Sequence, residues 1–179
     1  MAESFVNSVT RAVGVVTSSS AGAVGVQTNL ITGITTTNVT VGDIVDNSNY
    51  IAGTKVSSIG VNSTTCDRDS TNTTAVSSQT VKYLGLTTAY TSATGVKSII
   101  IGGTFANNTT SEVELTVHLY DNSASLTPAI ISKVPVPNGS SFVLSDAGKT
   151  VLEGLDAIRV YSDTANAIDV QLGILKGVS

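Results

Sequence analysis

Few residues in this chain could do chemistry, and they sit far apart. The segment "EVELTVHLY", residues 112–120, carries the only histidine, His118. A Ser–His–Asp arrangement needs a nucleophile, a base and an orienting acid converging in space, so any such site would have to use His118. No G-x-S-x-G turn accompanies it. Its neighbours alternate: Val113, Leu115, Val117 and Leu119 fall on one face of a strand, and Glu112, Glu114, Thr116, His118 and Tyr120 on the other. That register makes His118 a polar-face residue rather than a catalyst, and His118→Ala is expected to cost little.

The single cysteine, Cys66, lies in "TTCDRD" beside Asp67 and Asp69. Neighbouring carboxylates disfavour a thiolate, so Cys66 reads as structural filler, with Cys66→Ser nearly silent. One Cys and one His cannot build a structural zinc site. "DRDSTN", 67–72, alternates carboxylates as a calcium loop does. It has Asn72 where that loop needs Gly, and it lacks the distal Glu, which leaves a solvated turn. The Gly pair of "IIIGGT", Gly102 and Gly103, has no phosphate-loop context and reads as a bulge or a close sheet contact. The five tyrosines are scattered at 50, 83, 90, 120 and 161, and Trp is absent, so no sugar-stacking face stands out. No catalytic, cofactor-binding or metal-binding residue is assigned, and the chain is expected not to be an enzyme.

The elements around these residues are strands. Alternation by two recurs, most clearly in 112–120 and in Ile168, Val170, Leu172 and Ile174, whereas no segment sustains helical spacing. Shorter runs at 96–105, 129–134, 141–144, 150–152 and 157–161 are separated by turn-rich "ANNTTS", "DNSASLTP", "VPNGSS", "SDAGK" and "SDTANA". The first half is a train of shorter pieces at 31–35, 43–45, 54–59 and 76–83. The expected fold is all-β: a small N-terminal β-barrel or compact sandwich over 1–87, with an extended N-terminal segment, then a jelly-roll-like antiparallel β-sandwich over 88–179. The "GLTTAYTSATG" stretch, 85–95, is the expected hinge.

Composition narrows the function classes. Hydrophobic residues are 41% of 179 and charged ones 12%, which excludes a disordered polyelectrolyte. A formal charge of −4 without any Lys/Arg cluster gives no footprint for nucleic acid or an anionic membrane. The first sixteen residues show neither a secretion leader nor a spanning segment, and a lone cysteine suits a reducing cytoplasm.

Two segments resemble known modules. The alternating strand ending "VHLYDN", then "KVPVPNGSSFVL", "KTVLEGLDAIRV" and "TANAIDVQLGIL", together resemble a β-domain of tailed-phage virion proteins, common in cyanophages and other marine phages. That family carries Gly-Asp in the turn before its arginine-bearing strand, where this chain reads Gly154-Leu155-Asp156. Upstream, "TTNVTVGDIVDNSNYIAGTKVSSIGVNSTTC" is similar to a small β-module of phage tail, fibre and capsid-accessory proteins. The resemblance implies a non-enzymatic virion structural protein made in the host bacterial cytoplasm, foremost a capsid decoration (cement) protein. A neck, tail or fibre-adaptor part is the alternative, and a receptor- or glycan-binding adhesin a third. Expected partners are the major capsid protein or neighbouring virion proteins and further copies of the chain, a trimer being favoured, with no nucleic acid and no membrane. Expected contact residues are Phe5 and Val6 in the segment 2–16, Asn122 and Leu126 in the loop 121–128, and Pro137 and Asn138 in the loop 137–141.

Overall fold

The computed structural model describes residues 3–14, 16–144 and 149–178, and every regular element among them is a strand. In chain order these are β1 (Ser4–Val13), β2 (Val16–Val24), β3 (Leu30–Thr32), β4 (Ile44–Asp46), β5 (Val56–Gly60), β6 (Ser63–Cys66) and β7 (Val76–Leu84). There follow β8 (Thr87–Thr91), β9 (Lys97–Asn107), β10 (Val113–Tyr120), β11 (Ala129–Val136), β12 (Ser141–Leu144), β13 (Thr150–Leu152), β14 (Ala157–Ser162) and β15 (Ile168–Val178). The turn read in "SDAGK" lies outside the described residues except for Lys149.

Two compact units emerge, and the first strand does not belong with the six that follow it. A terminal unit combines Met1–Val13 with Thr87–Ser162 and Asn166–Ser179, and an inserted unit holds Gly14–Leu86 with Asp163–Ala165. The sequence placed one division at 87/88; the units of the structure change at Val13/Gly14, Leu86/Thr87 and around Asp163–Ala165, because β1 pairs with β15 from Ser4↔Lys176 to Val13↔Ile168.

The terminal unit is an antiparallel β-sandwich. One sheet runs β1-β15-β9-β12, with β13 also on β9, and the other runs β11-β10-β14-β8. Alternation explains the core: Val170, Leu172 and Ile174 of β15 face Val113, Leu115 and Val117 of β10 across one hydrophobic cluster. Each fully buried Leu or Ile contributes roughly 1.5–3 kcal/mol. Leu115, wholly buried, is a core residue as its register requires. The Gly pair also has its reason. A Cβ on Gly103 would come 2.6 Å from Leu172 Cδ2, and the β9–β15 ladder shifts register between Gly173 and Ile174.

The inserted unit is one sheet in the order β4-β7-β2-β3-β6-β5. A bridge between Ile44 and Lys55 ties its two ends, but the sheet is not closed into a barrel, which corrects the barrel expectation. Val24, Ile31, Val45, Val56, Val81 and Tyr83 fill its core.

Each unit contains a four-residue turn closed by a buried aspartate ahead of a strand. In Thr40–Val41–Gly42–Asp43, Asp43 N–H donates to Thr40 O (3.1 Å) and Thr40 N–H donates back to Asp43 Oδ2 (3.0 Å). In Glu153–Gly154–Leu155–Asp156, Asp156 N–H donates to Glu153 O (3.2 Å) and Glu153 N–H to Asp156 Oδ2 (2.9 Å). The left-handed third position is Gly42 (φ 97°) in one and Leu155 (φ 74°) in the other.

Candidate functional site

His118 lies on the outward face of β10, directly opposite Arg159 of β14. It is more than a solvated tooth. Its Nδ1 is 3.1 Å from Thr127 O, and its ring meets Tyr161 edge-on at 5.6 Å. Arg159 in turn lies 3.9 Å from the centre of the Tyr120 ring. Tyr120, Arg159, His118 and Tyr161 thus form one half-buried column across two paired strands. Two of the five tyrosines scattered in sequence are here brought within one patch. The column has no nucleophile and no carboxylate bound to His118 Nδ1, so its chemistry is stacking and hydrogen bonding rather than proton transfer.

Cys66 is buried in the inserted unit's core, not placed among exposed carboxylates. Burial pushes its thiol up to about 11, more strongly than the charge of Asp67, and only a hydrogen bond with Tyr50 opposes that rise. A protonated, enclosed thiol is inert, as expected, but mainly by desolvation. Cys66→Ser, read from the sequence as nearly silent, is a change inside an enclosed core, where the new hydroxyl keeps the Tyr50 partner of the thiol. Burial likewise pushes the Tyr83 phenol up to about 12, although its hydroxyl lies 2.8 Å from Thr64 Oγ1.

In "DRDSTN", Asp67 Oδ1 accepts Lys55 N–H (2.8 Å), Ser70 Oγ donates to Gly25 O (3.3 Å), and Asn72 Nδ2 donates to Gly25 O (2.9 Å). Asp67, Ser70 and Asn72 here fasten neighbouring backbone. Among the described residues, no three His, Cys, Asp or Glu side chains converge as metal ligands.

The six expected contact residues fall in three places. Phe5 and Val6 sit on β1 with opposite orientations: Phe5 is 75% exposed, while Val6 packs against the core and leaves the outward face. Asn122 and Leu126 belong to the loop between β10 and β11. There Asp121 and Leu126 exchange backbone bonds of 2.9 and 3.2 Å, and Asn122 N–H donates to Asp156 Oδ1 (2.9 Å). Pro137 and Asn138 form the turn between β11 and β12, closed by Ser140 N–H to Pro137 O (3.2 Å). The two loops leave opposite ends of β11, an eight-residue strand, so they stand about 25 Å apart. Of segment 2–16, residues 2 and 15 lie outside the described residues.

The structure adds a surface that no linear segment contains. Val151↔Ile99, Ile99↔Leu175 and Leu175↔Phe5 are successive cross-strand partners on β13, β9, β15 and β1. They form an apolar row on the outward face of the larger sheet, exposed at both ends and half-buried in the middle. Beside it, Phe5, Asn7, Ile101 and Gly173 border a shallow hollow of about 150 Å³. The inserted unit has an open groove of about 540 Å³ lined by Val24, Thr28, Leu30, Thr32, Val76 and Ser77 among others, without a charged side chain. Such linings offer contact area and hydroxyls, not acid–base catalysis.

No family model, no curated protein and no solved structure matches the chain.

Proposed function

We propose that this chain is a non-enzymatic structural component of a tailed-phage virion, a decoration protein seated on the outer capsid. The observation that supports it is the apolar row Val151–Ile99–Leu175–Phe5. It is an outward, sheet-borne surface suited to docking. The phage-like segments "KVPVPNGSSFVL" and "TVGDIV" supply the direction of the reading. A decoration protein binds the assembled shell and not free capsid subunits, so mass action makes the shell harder to rupture. Weak single contacts suffice when several are engaged together. The test measures bound copies per head and genome-release temperature in phage with and without the gene. Copies approaching the capsid-protein number and earlier DNA leakage in the knockout are expected. A few copies per particle, with loss of tails or adsorption, would move the chain to the neck, tail or fibre.

A second reading has one observation in its favour. The Tyr120–Arg159–His118–Tyr161 column offers aromatic and hydrogen-bonding surface to a sugar, as a receptor-binding adhesin requires. Glycan-array binding that Tyr161→Ala abolishes would favour it over the decoration role.

A further inference from the structure

The strand that opens the chain has one partner and one bare edge. β1 is terminal in its sheet, pairing with β15 on one side and with no strand on the other among the described residues. Its inward side chains Ser8 and Thr10 donate to Ala89 O at 2.8 and 3.4 Å, which pins the strand onto the sandwich. Edge strands are normally protected by shortness, by Lys or Pro, or by a bulge in mid-strand. β1 has ten residues, contains neither Lys nor Pro, and stays in register until Thr10. Its outward face reads Phe5, Asn7, Val9 and Arg11, with Glu3 just ahead of the strand and Phe5 75% and Val9 71% exposed.

We infer that β1 pairs with β1 of a second copy of this chain, antiparallel and centred on Asn7, to form a two-fold dimer whose larger sheets become continuous. The sequence around Asn7 is self-complementary in that register. Glu3 falls opposite Arg11 of the second copy, Phe5 opposite Val9, Asn7 opposite Asn7, and Ser4 opposite Thr10. Val6 falls opposite Ser8, a neutral pairing, and the other contacts are favourable in kind: opposite charges, an aromatic ring against a β-branched side chain, an amide pair and a hydroxyl pair. The two-fold axis repeats every contact, and no like charges meet. Moving the register by two residues breaks the charge match, which is what selects one alignment. Both partners are available. Glu3 has no ion pair among the described residues, and the Arg11 side chain, 86% exposed, holds Asp169 only loosely at 4.0 Å. Self-pairing also consumes the bare edge of β1 on both copies, so association through β1 closes at two copies. This two-fold pair takes the place of the trimer favoured from the sequence, and it stands independently of the virion reading.

The test uses the full chain in sedimentation equilibrium with charge reversals. Glu3→Arg and Arg11→Glu are each expected to weaken the dimer about tenfold, because two exposed attractive pairs become repulsive. The double variant Glu3→Arg/Arg11→Glu is expected to restore it. Thermal melts of each variant identify those that fail to fold, and the rescue is read between folded proteins. A second measurement fixes the register. Oxidised Asn7→Cys should cross-link to itself, since directly opposed Cα atoms lie about 4.5–5.5 Å apart, within disulfide reach. Phe5→Cys should cross-link only when mixed with Val9→Cys. Native Cys66 is buried and does not compete. A monomer throughout, reversals without effect or without rescue, or self-cross-linking by Phe5→Cys alone would overturn the pairing.

Discussion

The two aspartate turns, Thr40–Asp43 in the inserted unit and Glu153–Asp156 in the terminal unit, share a hydrogen-bond pattern and differ in where glycine is placed. In the first, Gly42 occupies the left-handed third position, where a side chain costs about 1–2 kcal/mol. In the second, the glycine stands one residue earlier. A Cβ on Gly154 would come 2.7 Å from Gly95 N and 3.3 Å from Ala93 O, so a close backbone approach claims it. Leu155 is then left to adopt φ 74°. The departure from a Gly-Asp pattern noted in the sequence is therefore a displacement with a steric cause. One glycine cannot serve both needs, and the tighter contact wins over the milder torsional strain.

The largest effect should come from the aspartates. Asp43 accepts from Thr17 Oγ1, Thr40 N–H and Thr40 Oγ1 at 3.0, 3.0 and 2.7 Å, whereas Asp156 accepts from Asn122 and Glu153 N–H groups at 2.9 Å each. Asp43→Ala is expected to cost about 4 kcal/mol and Asp156→Ala about 3 kcal/mol in urea unfolding, since bonds to a carboxylate contribute about 1.5–3 kcal/mol each and add imperfectly. The reverse order would mean that the two turns are not the same device.

Next in size is Gly154→Ala, expected to cost about 2–3 kcal/mol through overpacking, against about 1–2 kcal/mol for Gly42→Ala through torsion alone. Equal costs in the same unfolding assay would remove the steric explanation. Leu155→Gly should go the other way. Relief of left-handed strain exceeds the added chain entropy by about 0.5 kcal/mol, which a raised urea midpoint would reveal. Gly42 already has that relief, so no substitution at its position should stabilise.

The smallest contrast is one of slope between the two units at alkaline pH. Cys66 rises from 9.0 to about 11 and Tyr83 from 10.0 to about 12 in the folded inserted unit, both by burial. The neutral forms are favoured by folding. Their contribution is complete below about pH 9 and is lost as pH climbs through 11 and 12. Amide exchange of β6 and β7 should accelerate over that range, and Cys66→Ala should flatten part of the rise. Equal sensitivity in β10 and β15 would refute the assignment.

The strands legible in the sequence are those whose inward residues are aliphatic. β10 and β15 alternate cleanly, and β12 and β13 were bounded as they stand in the structure. β1, β2 and β8 are not legible by alternation because hydroxyls replace apolar groups on their faces. Ser8 and Thr10 point inward and bond to Ala89 O, while Phe5 and Val9 point out, so periodicity alone would have turned β1 over. Thr64 of β6 is buried because the Tyr83 hydroxyl accompanies it. The surfaces were less legible still. Val151, Ile99, Leu175 and Phe5 come from four strands and align only through ladder register, and Tyr120 meets Arg159 only because β10 pairs with β14. Phe5 was anticipated as a contact residue; Val6 beside it was not separable from it without the strand.

The bond from Ala12 N–H to Asp169 Oδ1 spans 157 residues, and it marks the order in which this chain can be built. At a synthesis rate of about 5–20 residues per second, β1 leaves the ribosome roughly eight to thirty seconds before β15 exists to receive it. The inserted unit, contiguous but for three residues, emerges wholly within that interval. During the wait β1 has not one bare edge but two, and Phe5 and Val9 are free on a neutral, extended segment. Neighbouring ribosomes on one message would bring such segments close together. Loss through β1 before completion would then depend on the local density of nascent chains, whatever the stability of the finished fold.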